Sequence, residues 1–296
     1  MNIMKFVIIT PTRNEEKFIE ETLSSMLTQT LLPLKWIIVD DGSTDDTSDI
    51  IKKYMKKADF IEYLYRENRG FRKPGQGVVE AFYAGYEKIK DLDFDVISKL
   101  DADLRLPPDT LELIAKSFKN DVTLGVAGGT RFEKGGKNKD FRKVLVPKGF
   151  VGGPNKFYRK QCFEEIGGLI PRAGWDGVDT IKANMHGWKT GELDTIKILH
   201  LKPTGTAKGE GLAKACEKYG DVSYYMGGYF WYFIVRLVGR SLKNMNPRIG
   251  YYMMKGYLNS LLHREKRESD SFRKYLKNIQ IKNMKYWINL AANRPK

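Results

Sequence analysis

The sequence predicts an α/β fold, with a mostly parallel sheet covered by helices on both faces and a helical, basic C-terminal segment. Three observations predict it. Short β-branched runs alternate with helix-periodic segments over the first two thirds of the chain. Polar, acid-rich motifs directly follow three of those runs. From about Thr206 the pattern turns helical, aromatic and basic, which divides the chain into a first domain over 1–205 and a C-terminal region over 206–296.

The elements follow in order. KFVIIT (5–10) reads as a buried strand, and residues 15–29 put Phe18, Ile19, Thr22, Leu23, Met26 and Leu27 on one helical stripe. KWIIVD (35–40) is a second strand, and the DGSTDDT after it opens a helix through Tyr54 with Ser43 and Asp46 as a capping pair. FIEYLY (60–65) is a third strand, trailed by a Gly-rich loop (66–77) and a helix (78–90). FDVISKL (94–100) is a fourth, after which Pro107, Pro108 and Asp109 start a helix with Leu111, Ile114, Ala115 and Phe118 on one face. TLGVAGGT (123–130) is a fifth. Residues 131–160 are Gly/Lys-rich and read as irregular, 176–187 as a helix, and TIKILHLK (195–202) as a late strand. Ligands of such sheets bind beyond the carboxyl ends of the strands, where TRNE, DDGSTD and DAD fall here.

A chain of 296 residues with 42% hydrophobic and 29% charged residues is not grossly disordered. The net charge of +15 is uneven, because nineteen Lys/Arg face six Asp/Glu from Lys202 onward and the front is close to neutral. A basic tail suits nucleic acid or an anionic membrane surface. Cys162 and Cys216 show no metal spacing and read as reduced core thiols. No signal peptide is expected, since Pro11, Arg13 and Glu15 interrupt the first apolar run. The longest uncharged apolar-rich run, Val222 to Val235, falls short of the about 20 residues a membrane span needs.

The strongest chemical feature is Asp101-Ala102-Asp103 at a strand end. Residues i and i+2 of an extended chain point the same way, so two carboxylates converge and favour a cation between them. Mg²⁺ or Mn²⁺ takes few protein carboxylates and completes its shell with phosphate oxygens, which suits a nucleoside diphosphate. Asp40 and Asp41 can accept hydrogen bonds from a base or ribose, and TPTRNE (10–15) sits at the first strand end.

TPTRNE, VDDGSTD (39–45), NRG (68–70) and KLDADL (99–104), in this order, resemble family-2 glycosyltransferases of the GT-A fold, and GGPNKFYRKQCFEEIGGL (152–169) is similar to that family's segment before the base. The resemblance covers about residues 5–205. It implies an inverting, nucleotide-sugar-dependent enzyme. It places Pro11, Arg13 and Glu15 around the nucleotide, Asp40 or Asp41 on a uracil-type base, Arg69 near the nucleotide or its phosphates, Asp101 near ribose and metal, and Asp103 on the Mn²⁺ or Mg²⁺ ion. The family's EDxD-type stretch reads Trp175-Asp176-Gly177-Val178-Asp179 here, with Gly where Asp is usual, so the base is Asp176 or, second, Asp179. His200 ends an apolar strand and is either a third metal ligand, as the resemblance of HLKPTG implies, or a hydrogen-bonded core histidine.

The expected reaction is metal-assisted transfer of a sugar from a UDP-sugar to a hydroxyl of a glycan or lipid-linked acceptor. Aromatic and basic residues over 222–242 and 251–262 suit helices lying on an anionic membrane surface, so the expected place is cytoplasmic, peripheral at the inner face of the membrane. The alternatives are a weak or inactive nucleotide-sugar binder, or a nucleic-acid-binding protein using the tail. Nucleic acid is not expected, because acids clustered at strand ends repel phosphate unless a metal is present. A dinucleotide dehydrogenase or a nucleotidyltransferase needs a Gly-rich loop after the first strand, where this chain has TPTRNEE.

Overall fold

The computed structural model describes residues 3–71, 73, 75–134, 140–202 and 211–292. The chain forms two compact units, Met1–Thr206 and Ala207–Lys296. The boundary expected at 205/206 and the Pro203-Thr204-Gly205 stretch lie outside the described residues.

In the first unit the chain runs β1 (Phe6–Thr12), α1 (Ile19–Leu27), β2 (Lys35–Asp40), α2 (Thr47–Met55), β3 (Ile61–Tyr65), α3 (Gln76–Tyr86), β4 (Val96–Leu100) and β5 (Leu104–Arg105). It continues as α4 (Thr110–Asn120), β6 (Leu124–Lys134), β7 (Phe141–Lys143), β8 (Asn155–Arg159), α5 (Lys160–Glu165), α6 (Trp175–Met185) and β9 (Lys189–His200). Among the described residues one nine-stranded sheet runs β3-β2-β1-β4-β8-β6-β9-β5, with β7 on β6.

The front of this sheet is parallel from β3 to β4, and β1, β2 and β4 are buried nearly throughout. Successive residues serve opposite faces, as strand geometry requires. Phe6 and Ile8 join Trp36 and Ile38 beneath α1, α2 and α4, while Val7 and Ile9 join Ile37 and Val39 beneath α3, α5 and α6. Continuous apolar strands are the signature of a sheet buried on both sides.

The expectation of a mostly parallel sheet holds for that front, and the rest is mixed, with β6 and β9 pairing parallel among antiparallel neighbours. β8 inserts antiparallel between β4 and β6, and β5 pairs antiparallel with β9. The stretch 131–160, expected to be irregular, contains the end of β6, β7 and all of β8. β8 hides in the sequence because its charges are buried. Lys156 is fully buried, and Arg159 donates to the carbonyls of Phe118 and Leu124. The capping pair is also corrected. Asp46 makes no side-chain cap, and Ser43 Oγ accepts the Asn14 N–H at 3.0 Å.

The second unit is helical, with α7 (Leu212–Met226), α8 (Phe230–Lys243), α9 (Pro247–Leu262) and α10 (Asp270–Ala292). Cys216, Phe233, Ile249 and Met253 form its small core. Gly220 and Gly256 let α7 and α9 meet at the backbone, since a Cβ on either would lie 2.0 Å from a carbonyl oxygen of the other helix. The 222–242 stretch is two helices rather than one, because Gly227 ends α7 in a left-handed conformation at φ 63°. No helix of the described residues is long and apolar enough to cross a membrane.

Candidate functional site

Three loops at the carboxyl ends of β1, β2 and β3 are stitched together. Asn14 takes a left-handed φ of 54°, which Asn tolerates, and its Oδ1 accepts the Thr44 N–H at 2.8 Å. Gly42, at φ 76°, packs on the loop after β3, where a Cβ would meet Asn68 Cα at 2.4 Å. Pro11 sits beyond the last β1–β4 pair and opposite Val39 of β2.

The two acids at the end of β2 separate in role. Asp40 is fully buried, with one oxygen accepting the Ser43 N–H at 2.8 Å and the other the Tyr63 hydroxyl at 2.9 Å. It shapes the turn, and its full burial with both oxygens already bonded leaves Asp41 as the less buried partner of the pair for the expected contact with a base. Asp41 lies within an arginine cluster. Arg66 Nη1 donates to one oxygen at 3.0 Å, Arg69 to the other, and Arg13 Nη1 stands 4.0 Å away. Burial raises the Asp41 pKa, against the pull of those three guanidiniums. Arg69 also reaches Glu80, and Arg13 donates to Asn68 Oδ1 at 2.8 Å. Glu15 takes Lys202 Nζ at 2.6 Å.

The turn after β4 holds the densest group. Carboxylate oxygens of Asp101 and Asp103 and a ring nitrogen of His200 lie within 4.8 Å of one another. The sheet explains this: Leu104 pairs with His200, and Leu201 N–H donates to Asp103 O at 2.9 Å. His200 Nε2 is 3.3 Å from Asp103 Oδ1, and its Nδ1 is 2.8 Å from Glu133 Oε1. β6 supplies that glutamate directly opposite, Glu133 pairing with His200. A carboxylate behind an imidazole is the usual support of a metal-bound histidine. Burial lowers the His200 pKa, but Asp103 and Glu133 together outweigh it and the net direction is up.

Asp103 is 7% exposed, and its Oδ1 has no donor in hydrogen-bonding geometry, although His200 Nε2 stands 3.3 Å from it. A buried carboxylate oxygen in that position is costly unless a cation completes it, and either a protonated His200 or a metal ion can do so. The donor set, two carboxylates and an imidazole, suits a divalent ion. Asp101 keeps 29% of its side chain exposed, yet crowding by the protein raises its pKa. Lys99 opposes that rise, and the nearby Asp103 charge adds to it.

The two candidate bases differ sharply. Asp179 is 1% exposed, takes Lys156 Nζ at 2.6 and 2.8 Å on its two oxygens, and also accepts the Tyr158 hydroxyl. Burial holds the Tyr158 phenol well above its ordinary pKa, with Asp179 adding to the rise, so the phenol remains a donor. This carboxylate has no room for an acceptor hydroxyl, and its expected place as second base is corrected to a structural one. Asp176, in the first turn of α6, is half-buried. Its carboxylate lies against Gly153, where a Cβ would stand 3.1 Å from Oδ2.

Residues not anticipated from the sequence tie the candidate base Asp176 to the Asp101–Asp103–His200 group. Lys99, 2% exposed, bonds both Asp101 and Gly153 O, the residue Asp176 leans on. Its Nζ is also 5.3 Å from the Trp175 ring centre. Lys156 Nζ stands 5.6 Å from that same centre and donates to Asp176 O at 2.6 Å. The Lys99 signal is readable, since it stands two residues before Asp101 on the same strand face. Glu133 carries no local signal.

The profile described as glycosyl transferase family 2 matches residues 7–173. Poly-beta-1,6-N-acetyl-D-glucosamine synthase of Staphylococcus aureus (strain COL) is 34% identical over 117 residues, 39% of this chain and 26% of that protein. The chain thus spans about a quarter of that relative's length. Among solved structures, S. aureus TarS 1-349, crystallised with UDP-GlcNAc, superposes at TM-score 0.55 and 21% identity over 75% of this chain and 66% of that one. The mannosyltransferase PcManGT of Pyrobaculum calidifontis, in complex with GDP-Man and Mn²⁺, does so at 0.54 and 15% identity over 98% and 88%. At such identities the likeness shows a shared fold.

Proposed function

The chain belongs to glycosyl transferase family 2 and has the GT-A fold, and from that premise we propose that it transfers a sugar from a UDP-sugar to a hydroxyl of a glycan or lipid-linked acceptor with a divalent cation. The observation that carries this reading is the convergence of the Asp101 and Asp103 carboxylates and the His200 ring within 4.8 Å of one another at the carboxyl end of parallel strands. Relatives support the donor class: TarS is crystallised with UDP-GlcNAc and PcManGT with GDP-Man and Mn²⁺. A relative named as a polysaccharide synthase supports the acceptor class.

In this reading Asp103, Asp101 and His200 hold Mn²⁺ or Mg²⁺, which when bound supplies Lewis-acid stabilisation of the departing diphosphate. Glu133 fixes the His200 ring so that Nε2 faces Asp103. Arg13 and Arg69, already gathered on Asp41, add positive field on the nucleotide side of the site. Asp176 takes the proton of the acceptor hydroxyl as it attacks. Lys156 holds Asp176 through its carbonyl, and the carboxylate remains available. One in-line displacement inverts the anomeric carbon. The basic second unit brings the enzyme to an anionic membrane surface on the cytoplasmic side, where a lipid-linked acceptor resides.

The test is nucleoside diphosphate release from a panel of nucleotide sugars with Mn²⁺, with Mg²⁺ and with chelator. Release that needs a divalent ion and is fastest with one UDP-sugar is the expected result. Release at full rate in chelator contradicts the metal assignment, and no release with any donor across candidate acceptors contradicts the transfer.

A further inference from the structure

The α8 helix has two apolar faces, and the core uses only one. Phe233 is 4% exposed in the unit's core, and Leu237 packs against Gly250 of α9. Trp231, Val235, Val238 and Leu242 follow helical spacing on another face and remain 38, 61, 46 and 72% exposed. Met245, just past the helix end, is 92% exposed. Scattered exposed apolar residues are ordinary, but a continuous stripe of them marks a surface that is covered in use.

Charge identifies the cover. From Val222 to Arg264 the chain has no acidic residue and six Lys/Arg, among them Arg236, Arg240 and Lys243 on α8. Two copies meeting through this stripe bring like charges together, whereas anionic lipid headgroups meet them with the opposite sign. Length sets the mode of binding. The 14 residues of α8 extend roughly 21 Å at 1.5 Å per residue, short of the about 30 Å hydrocarbon core. Such a helix lies in the interface, its apolar face among the acyl chains and its long cationic side chains reaching back to the headgroups.

We infer that the Trp231–Val235–Val238–Leu242 face of α8 inserts at the boundary between headgroups and acyl chains of an anionic bilayer. Attachment therefore has an apolar part that salt does not remove and an electrostatic part that it does. This deepens the membrane reading above and rests on it, but it does not depend on the sugar chemistry.

The experiment is co-sedimentation of the full chain with phosphatidylcholine vesicles, with and without phosphatidylglycerol, at low and high salt and without donor or metal. Wild type binds the anionic vesicles, and part of that binding survives high salt. Val235→Asp/Leu242→Asp, at exposed positions where the fold tolerates polarity, lowers partitioning by about tenfold or more at both salts. Arg236→Gln/Lys243→Gln lowers it at low salt only. Metal-dependent UDP binding, measured on the same variants in solution, stays at the wild-type level, so a failure of the membrane face and a failure of the donor site are told apart. Wild-type vesicle binding by Val235→Asp/Leu242→Asp overturns the inference. So does a wild type that ignores vesicles but is dimeric by light scattering and becomes monomeric in that variant.

Discussion

Asp103 and Asp179 are both carboxylates with less than a tenth of their surface exposed, and they have opposite fates. Asp179 has its two oxygens taken by Lys156 and Tyr158. Asp103 faces another acid and a histidine, and one of its oxygens has no donor in hydrogen-bonding geometry. Burial alone therefore does not mark a functional acid. A saturated buried acid is structure, and an incomplete one beside like charge stores an affinity for a cation. Asp176 stands between these extremes, since the clamp on Asp179 holds its backbone while its side chain remains half-buried at Gly153.

Substitutions break or sharpen this contrast. The largest effect is expected for Asp103→Ala, which should remove metal-dependent turnover while thermal unfolding stays near wild type; wild-type turnover would end the metal assignment. Next comes Asp176→Asn, which should leave donor binding intact and slow transfer roughly 10²–10⁴-fold, the range of a positioned base. An active Asp176→Asn enzyme would place the base elsewhere. Asp179→Asn should act on stability instead, costing about 3–5 kcal/mol in denaturant unfolding because Lys156 is left buried and uncompensated. The double change Lys156→Met/Asp179→Leu should regain much of that loss; if Asp179→Asn is fully stable yet inactive, the structural reading of the clamp fails. The smallest effect belongs to Glu133→Gln, which should weaken Mn²⁺ affinity roughly 10–100-fold, as loss of an outer-shell carboxylate does. Calorimetric Mn²⁺ titration reads this directly, and unchanged affinity would detach Glu133 from the metal group.

The same contrast explains what is legible in the sequence. β1, β2 and β4 are readable because both faces of each are buried and the apolar runs are continuous. β8 is not, because Lys156 and Arg159 look like surface charges until partners distant in sequence bury them. The Asp101/Asp103 pair is local, so the motif is visible in the sequence, although the turn after β4 rather than strand alternation brings the two acids together. Glu133 has no such signature, because its place behind His200 is created by the β6–β9 pairing. Asp40 reads in the sequence as a nucleotide contact and Asp179 as a second candidate base, yet Ser43 N–H and Tyr63 bond the oxygens of the one and Lys156 and Tyr158 those of the other. A motif supplies acids, and the tertiary structure decides which of them stay incomplete.

The most direct measurement is the anomalous diffraction signal of Mn²⁺ in crystals of the full chain grown with UDP. The account predicts a single strong peak bonded to Asp103 and bridged to the diphosphate, with Asp101 and His200 turned toward it, and no peak in Asp103→Ala. UDP bound without manganese at that turn, or manganese held at some other group of acids, would contradict it.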